Sequence, residues 1–233
     1  MEPSPVSPEY TQPSAPPLIW QRVRETWLSQ KPSKYASIIT AVTTLLLVLG
    51  SLIYQTNFLH LHHWMEATQT AVFDQHQWWR LWTTLFAHAD VGHLVSNSIL
   101  FFILGYFLTG YFGVFLFPLA AFAFGGLTNW IVIASYPPTV ALIGVSGVVY
   151  WMGGAWLALY FLLDRRRTYF QRTLRIVGVA LGIFMPATAF DPAISYKAHL
   201  VGFILGLTYG FLYYWRHQKT FKQALVIETI IDE

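Results

Sequence analysis

An all-α polytopic membrane protein with six transmembrane helices is the fold class that the sequence predicts, and three observations predict it. Apolar residues make up 55% of the 233-residue chain and charged residues only 11%, against roughly 25% charged in an ordinary soluble domain. The charges are also clustered: residues 91–163, a run of 73, contain no Asp, Glu, Lys or Arg. Of the 14 basic residues, 12 fall in segments that a six-span path leaves on one side of the bilayer. A water-facing surface needs more charge than this, so the composition excludes a disordered chain, a nucleic-acid-binding domain and a typical soluble enzyme. With no cysteine, disulfide frameworks, thiolate metal sites and a Cys nucleophile are excluded as well.

Taken in order, residues 1–34 are expected as a tail, Pro-rich and disordered at first, then basic and cytoplasmic. Six prolines fall within residues 1–19, a composition that cannot bury a core. No positive segment followed by an apolar one is present, so a cleavable signal peptide is not expected. Residues 20–34 are polar and basic and fit a short helix on the membrane surface. Residues 35–217 are expected as the membrane domain and 218–233 as a cytoplasmic tail.

The first span is expected at residues 36–54, near the roughly 20 residues that a bilayer requires. Residues 57–91 are rich in His and Trp, including His60, His62, His63, Trp64, His76, Trp78 and Trp79, with Arg80. Such rings favour the headgroup region, and the segment reads as a folded loop lying partly in the interface. The uncharged run 91–163 holds three spans, with turns expected at Gly110 and Gly113 and at Ser135, Tyr136, Pro137 and Pro138. Asp164, Arg165, Arg166 and Arg167 stop it. A fifth span is expected at residues 173–190, with Pro186 near its end, and a sixth at 198–215 after a short loop at 191–197. Only Arg80 and Lys197 lie opposite the other basic residues, so the positive-inside rule makes both termini cytoplasmic.

Polar side chains inside spans are costly and mark candidate functional sites. His93 and Asn97 lie four apart, on one face of the second span. Ser146 opens the fourth within Gly144, Val145, Ser146 and Gly147, and His199 opens the sixth. Each has an ordinary alternative: a Ser bonded back to its own helix, a His anchored at the interface, an Asn joining two helices. Topology favours a shared role, because the second, fourth and sixth spans run in the same direction and hold His93, Ser146 and His199 at one depth.

Acyl transfer is the chemistry that such a cluster supports. A Ser hydroxyl needs an adjacent base, for which His is suited near pH 7, and the tetrahedral intermediate needs donors at its oxyanion. The Ser146 N–H, the His93 ring and the Asn97 amide are candidate donors. No carboxylate lies in a span to orient His199, so a Ser–His dyad is expected, with Tyr150, one turn below Ser146, placed to stack on the His199 ring. Gly147, Gly153 and Gly154 on the fourth span, and Gly202, Gly206 and Gly210 on the sixth, have the spacing of closely approaching helices.

These residues, in this order and spacing, resemble those of the rhomboid intramembrane serine proteases across about residues 36–215. The matching positions are Trp79 and Arg80, His88, His93 and Asn97, Gly144 with Ser146 and Gly147, Tyr150 and Gly154, then Ala198, His199, Gly202 and Gly206. The resemblance implies a six-transmembrane-helix rhomboid bundle with an interfacial first loop. Ser146 would then be the nucleophile, His199 the general base, and His93 and Asn97 the oxyanion-hole side chains. It also implies an endopeptidase without metal or cofactor, cleaving transmembrane segments of other proteins near the extracytoplasmic face. Substrates would enter from lipid beside the second and fifth helices, under a cap at residues 191–197. Transmembrane proteins and the lipid bilayer are the expected partners, nucleic acid is not, and a bacterial inner (cell) membrane is the expected location.

Two other readings are open, one on the same residues and one on the loop histidines. A catalytically silent rhomboid-like protein that binds membrane clients would have no need of both Ser146 and His199. A metal site or transporter built on His60, His62, His63 and His76 has plausible ligands for zinc or copper, but an interfacial aromatic-polar loop is the favoured account of them. Arg80 fits a structural role, bonding loop carbonyls.

Overall fold

The computed structural model describes residues 18–184 and 195–232, which are mostly helical. Strand β1 (Leu18–Glu25) is followed by a short 3-10 turn and helix α1 (Ala36–Gln55). The first loop then forms short turns, α2 (His62–Met65), a π-turn, α3 (Arg80–Thr83) and a further 3-10 turn at Thr84–Phe86. The long helices α4 (Val91–Phe112), α5 (Ala121–Ile133, entered through a π-turn at Phe115–Ala120) and α6 (Ser146–Leu163) come next. The chain continues through α7 (Tyr169–Phe184) and α8 (Tyr196–Gln223) to strand β2 (Val226–Asp232).

Among the described residues, four segments are long and apolar enough to cross a membrane: Ala36–Gln55, Val91–Phe112, Phe115–Ile133 and Ser146–Leu163. The described part of α7 is 16 residues long and carries Arg172 and Arg175. In α8, His199, four tyrosines, Trp215 and three glycines dilute the apolar content. The expected fifth span begins a turn earlier than its sequence suggested, and its far end, with Pro186 and most of the cap at 191–197, lies outside the described residues. Gly110 does not form a turn: it is inside α4, where a Cβ would come within 2.8 Å of Pro32. The turn follows at Gly113, whose φ of +83° suits glycine.

α6 stands at the centre. The share of the span that is buried rises from 22% in α1 to 72% in α6, and Trp151, Met152 and Leu159 on α6 are fully enclosed. Its tightest neighbour is α8. A Cβ at Gly202 would collide with the Gly147 carbonyl, and one at Gly206 with the Trp151 carbonyl. Only hydrogen at these positions lets the two backbones touch.

An all-α chain and a surface helix at residues 20–34 need correction. β1 and β2 pair antiparallel from Leu18 opposite Asp232 to Glu25 opposite Val226, with a bulge near Val23. The strand rests on a non-local partner, the β-branched segment Val226–Asp232, which is why the basic residues Arg22 and Arg24 alone misdirected the reading. The boundary expected at residue 217 falls inside the continuous helix α8. The pairing places the two ends of the described chain at the same end of the bundle. Trp27 secures that end, donating from Nε1 to the Tyr111 carbonyl at 2.9 Å and meeting Phe221 edge-on at 5.2 Å.

Candidate functional site

The site begins where the chain turns into α6. Residues 137–145 lead there from α5 and are tied to the first loop. Ala67 and Leu142 exchange two backbone hydrogen bonds, at 3.3 and 2.8 Å. The Thr84 hydroxyl donates to the Leu142 carbonyl, and the Gly144 N–H donates to the Thr84 carbonyl at 3.0 Å. Gly144 has φ of +106°, a left-handed conformation open to glycine, and it sets Val145 as the residue before the helix.

Val145 has no side chain able to cap α6. The first N–H groups of a helix have no partner within it, so the donors at Ser146 and Gly147 are left at the positive end of the helix dipole. Ser146 itself is buried, at 7% exposure.

His199 is the fourth residue of α8 and is set by the cap of that helix. The Ser195 hydroxyl accepts from the Ala198 N–H at 3.2 Å and pairs with the Tyr136 hydroxyl at 2.6 Å. Lys197 adds a bond from Nζ to the Ser135 hydroxyl at 3.0 Å. The turn after α5 therefore holds the start of α8. The His199 ring lies on Tyr150, one turn into α6, with centroids 3.9 Å apart and planes at 12°. Neither of its ring nitrogens has a hydrogen-bond partner among the described residues.

His93 and Asn97 occupy the first turns of α4. Asp90, which the sequence reading passed over, caps that helix by accepting from the His93 N–H at 2.8 Å. An Asp just before an apolar helix is the usual signal for such a cap. Asn97 is buried, and its Nδ2 has no hydrogen-bond partner among the described residues. The His93 ring passes close to Gly144, two residues before Ser146: a Cβ there would stand 3.5 Å from Cε1.

Behind His93 lies His88, fully buried, its ring edge-on at 5.5 Å. Burial pushes the His88 imidazole down to about 4, and the charge of a protonated His93 adds to that effect. At neutral pH His88 is thus an uncharged spacer.

Arg80 ties the first loop together. Its Nη1 donates to the carbonyls of His63 at 2.5 Å and Glu66 at 2.7 Å, and its guanidinium lies 5.7 Å over the Trp64 ring. This is the carbonyl-bonding role that its sequence position suggested.

The loop histidines are differently placed. His62 pairs through Nδ1 with the Asn57 side chain and lies 3.7 Å from the His63 ring. Among the described residues no group of three or more His, Cys, Asp or Glu converges on a common point.

The arrangement thus brings a Ser at an uncapped helix N-terminus into one region with a stacked, unpaired His, a second His and a buried amide. Comparison with known proteins bears on the same residues. The chain is 26% identical over 194 residues to "Rhomboid protease GlpG" of Haemophilus influenzae, covering 81% of this chain and 94% of that one. It is 26% identical over 136 residues to "Putative rhomboid protease YdcA" of Bacillus subtilis, covering 58% and 67% respectively. An uncharacterized protein of Mycobacterium leprae, ML1171, is 32% identical over 152 residues, covering 60% of this chain and 59% of its own. The family model described as "Rhomboid domain" matches residues 75–216, which take in His93, Asn97, Ser146, Tyr150 and His199, and the chain belongs to the rhomboid family.

Proposed function

We propose that the protein is an intramembrane serine endopeptidase, working by a Ser146–His199 dyad through an acyl-enzyme. Family membership and the apolar helices make it an integral membrane protein with bacterial relatives. The finer reading has α7 and α8 as the fifth and sixth spans, the first loop in the interface and both termini cytoplasmic in a bacterial inner membrane. Its substrates are transmembrane segments cut near the extracytoplasmic face.

In this mechanism the Ser146 hydroxyl attacks the scissile carbonyl while His199 accepts its proton. The carbonyl oxygen becomes an oxyanion, held by the Ser146 N–H, the Asn97 amide and the His93 ring. Collapse breaks the C–N bond, and His199 returns the proton to the departing amine. Water, deprotonated by His199, then attacks the acyl ester and releases Ser146. Tyr150 holds the imidazole plane, the orienting task that a carboxylate performs in a triad.

The observation that carries this reading is the geometry around α6. Ser146 begins a helix whose N-cap residue gives no side-chain cap, and the His199 ring stacks one turn away with neither nitrogen hydrogen-bonded among the described residues. Those are the free donors and free base that acyl transfer uses. A fluorophosphonate probe, applied to the purified protein and to Ser146→Ala, tests it. Labelling that vanishes in the variant is the expected result. Absence of labelling in folded wild-type protein would instead favour a silent client-binding role.

A further inference from the structure

We propose that the cleft between α6 and α7 is a binding site for one anionic phospholipid, whose phosphate pairs with Arg175. The cleft has a volume of about 390 Å³, walled by Trp156, Leu157 and Tyr160 of α6 and by Ile176 and Val179 of α7, with Arg175 among its lining. An apolar slot of this kind at the depth of a membrane span has acyl chains as its surroundings. The outward side chains of α7 match that environment, with Phe170 at 74% and Leu174 at 62% exposure.

Charge selects the headgroup. Five arginines, Arg165, Arg166, Arg167, Arg172 and Arg175, follow a single carboxylate, Asp164, in the sequence. Asp164 is already committed: Arg166 and Arg167 both pair with it, at 3.2 and 2.5 Å. Arg165 donates to the Tyr214 hydroxyl at 2.9 Å, and Arg172 to the Phe161 carbonyl at 2.6 Å. Among the described residues the buried Nε of Arg172 has no hydrogen-bond partner, and neither of the two ion pairs involves Arg175.

An unpaired cation about six residues into a helix, roughly 9 Å from its start at 1.5 Å per residue, is costly in hydrocarbon. Its long stem reaches toward the interface, where a phosphate diester supplies the missing charge. A phospholipid alone presents both the anion at the mouth and the chain for the slot. Bound there, it would wedge α7 against α6.

The site requires α7 to lie in the bilayer, which is part of the six-span reading, but it does not require Ser146 to be reactive. Native mass spectrometry of the full chain, in micelles doped equally with phosphatidylglycerol and phosphatidylcholine, tests it. Wild-type protein and Ser146→Ala should both retain phosphatidylglycerol about fivefold better, the worth of one juxtamembrane basic residue. Arg175→Ala should abolish that preference. Gly178→Leu should reduce retention of both lipids by filling the cleft; no atom lies within 4 Å of a Cβ at Gly178, so the variant should fold. Equal retention of the two lipids by wild type would overturn the site. So would a preference untouched by Arg175→Ala, or retention untouched by Gly178→Leu. Because Ser146→Ala is assayed alongside, a failed protease assay and a failed lipid assay remain separate results.

Discussion

The imidazole of His199 lies flat on the phenol ring of Tyr150, 3.9 Å between centroids and 12° between planes. The contact joins α8 to α6 one turn from Ser146, and among the described residues neither nitrogen of the imidazole has a hydrogen-bond partner. An aromatic pair contributes about 0.5–1.5 kcal/mol beyond burial. Tyr150→Ala is therefore expected to lower kcat about two- to tenfold, with little change in KM. Tyr150→Phe keeps the ring and should lose less. Equal losses in the two variants, measured on a transmembrane substrate, would show that the stacking has no part in orienting His199.

Close approach of α6 and α8 gives a second prediction. A side chain at Gly206 meets backbone, the Trp151 carbonyl, rather than a movable side chain. Gly206→Val should destabilise by about 1–3 kcal/mol or more, as overpacked cores do. Gly182→Ala, where a Cβ meets nothing within 4 Å, is the control. Thermal unfolding in detergent should separate the two clearly; matching midpoints would count against the close-packed interface.

Arg80 carries the first loop on two charge-assisted hydrogen bonds to the carbonyls of His63 and Glu66. Bonds to charged groups contribute about 1.5–3 kcal/mol each, so Arg80→Ala should destabilise by about 3 kcal/mol. Arg80→Lys should recover only part of that, since an ammonium lacks the planar fork of the guanidinium. Denaturation of the two variants, followed by Trp fluorescence, checks the order.

His88 predicts a pH dependence. Its folded value is about 4 against 6.5 for the free side chain. Between those values the unfolded chain binds a proton that the native state refuses. Stability from this group is accordingly whole above pH 6.5 and is lost as pH falls toward 4. His88→Phe removes the titration and should flatten the unfolding midpoint across that window. A decline as steep as that of wild type would assign the acid sensitivity to other groups.

Much of the helical plan was legible in the chain because burial in lipid writes itself into composition. The uncharged run to Leu163 and the arrest at Asp164 define where α6 ends, and Gly147, Gly202 and Gly206 marked the helix faces that touch. The start of α6 at Ser146 and the early positions of His93 and His199 in their helices are local features of the same kind. Less visible were partners distant in sequence. β1 looked like a basic surface segment because its pairing strand lies about 200 residues away. Gly110 looked like a turn because its neighbour, Pro32, lies in another segment. Asp90 was a readable cap that the reading passed over, whereas the bond from Thr84 to Leu142, which shapes the approach to Ser146, left no local signal.

What the sequence by itself determined is therefore the class of protein and the cast of its site: an apolar helical chain with Ser146, His199, His93, Asn97 and Tyr150 as candidates. Hydropathy and spacing suffice for that, since both are properties of single segments. The tertiary structure alone decided how these side chains meet. It laid His199 on Tyr150, left the α6 N-terminus without a side-chain cap, and paired β1 with β2 in one sheet. Each of these depends on atoms from separate segments reaching van der Waals or hydrogen-bond distance, and such distances are set by packing.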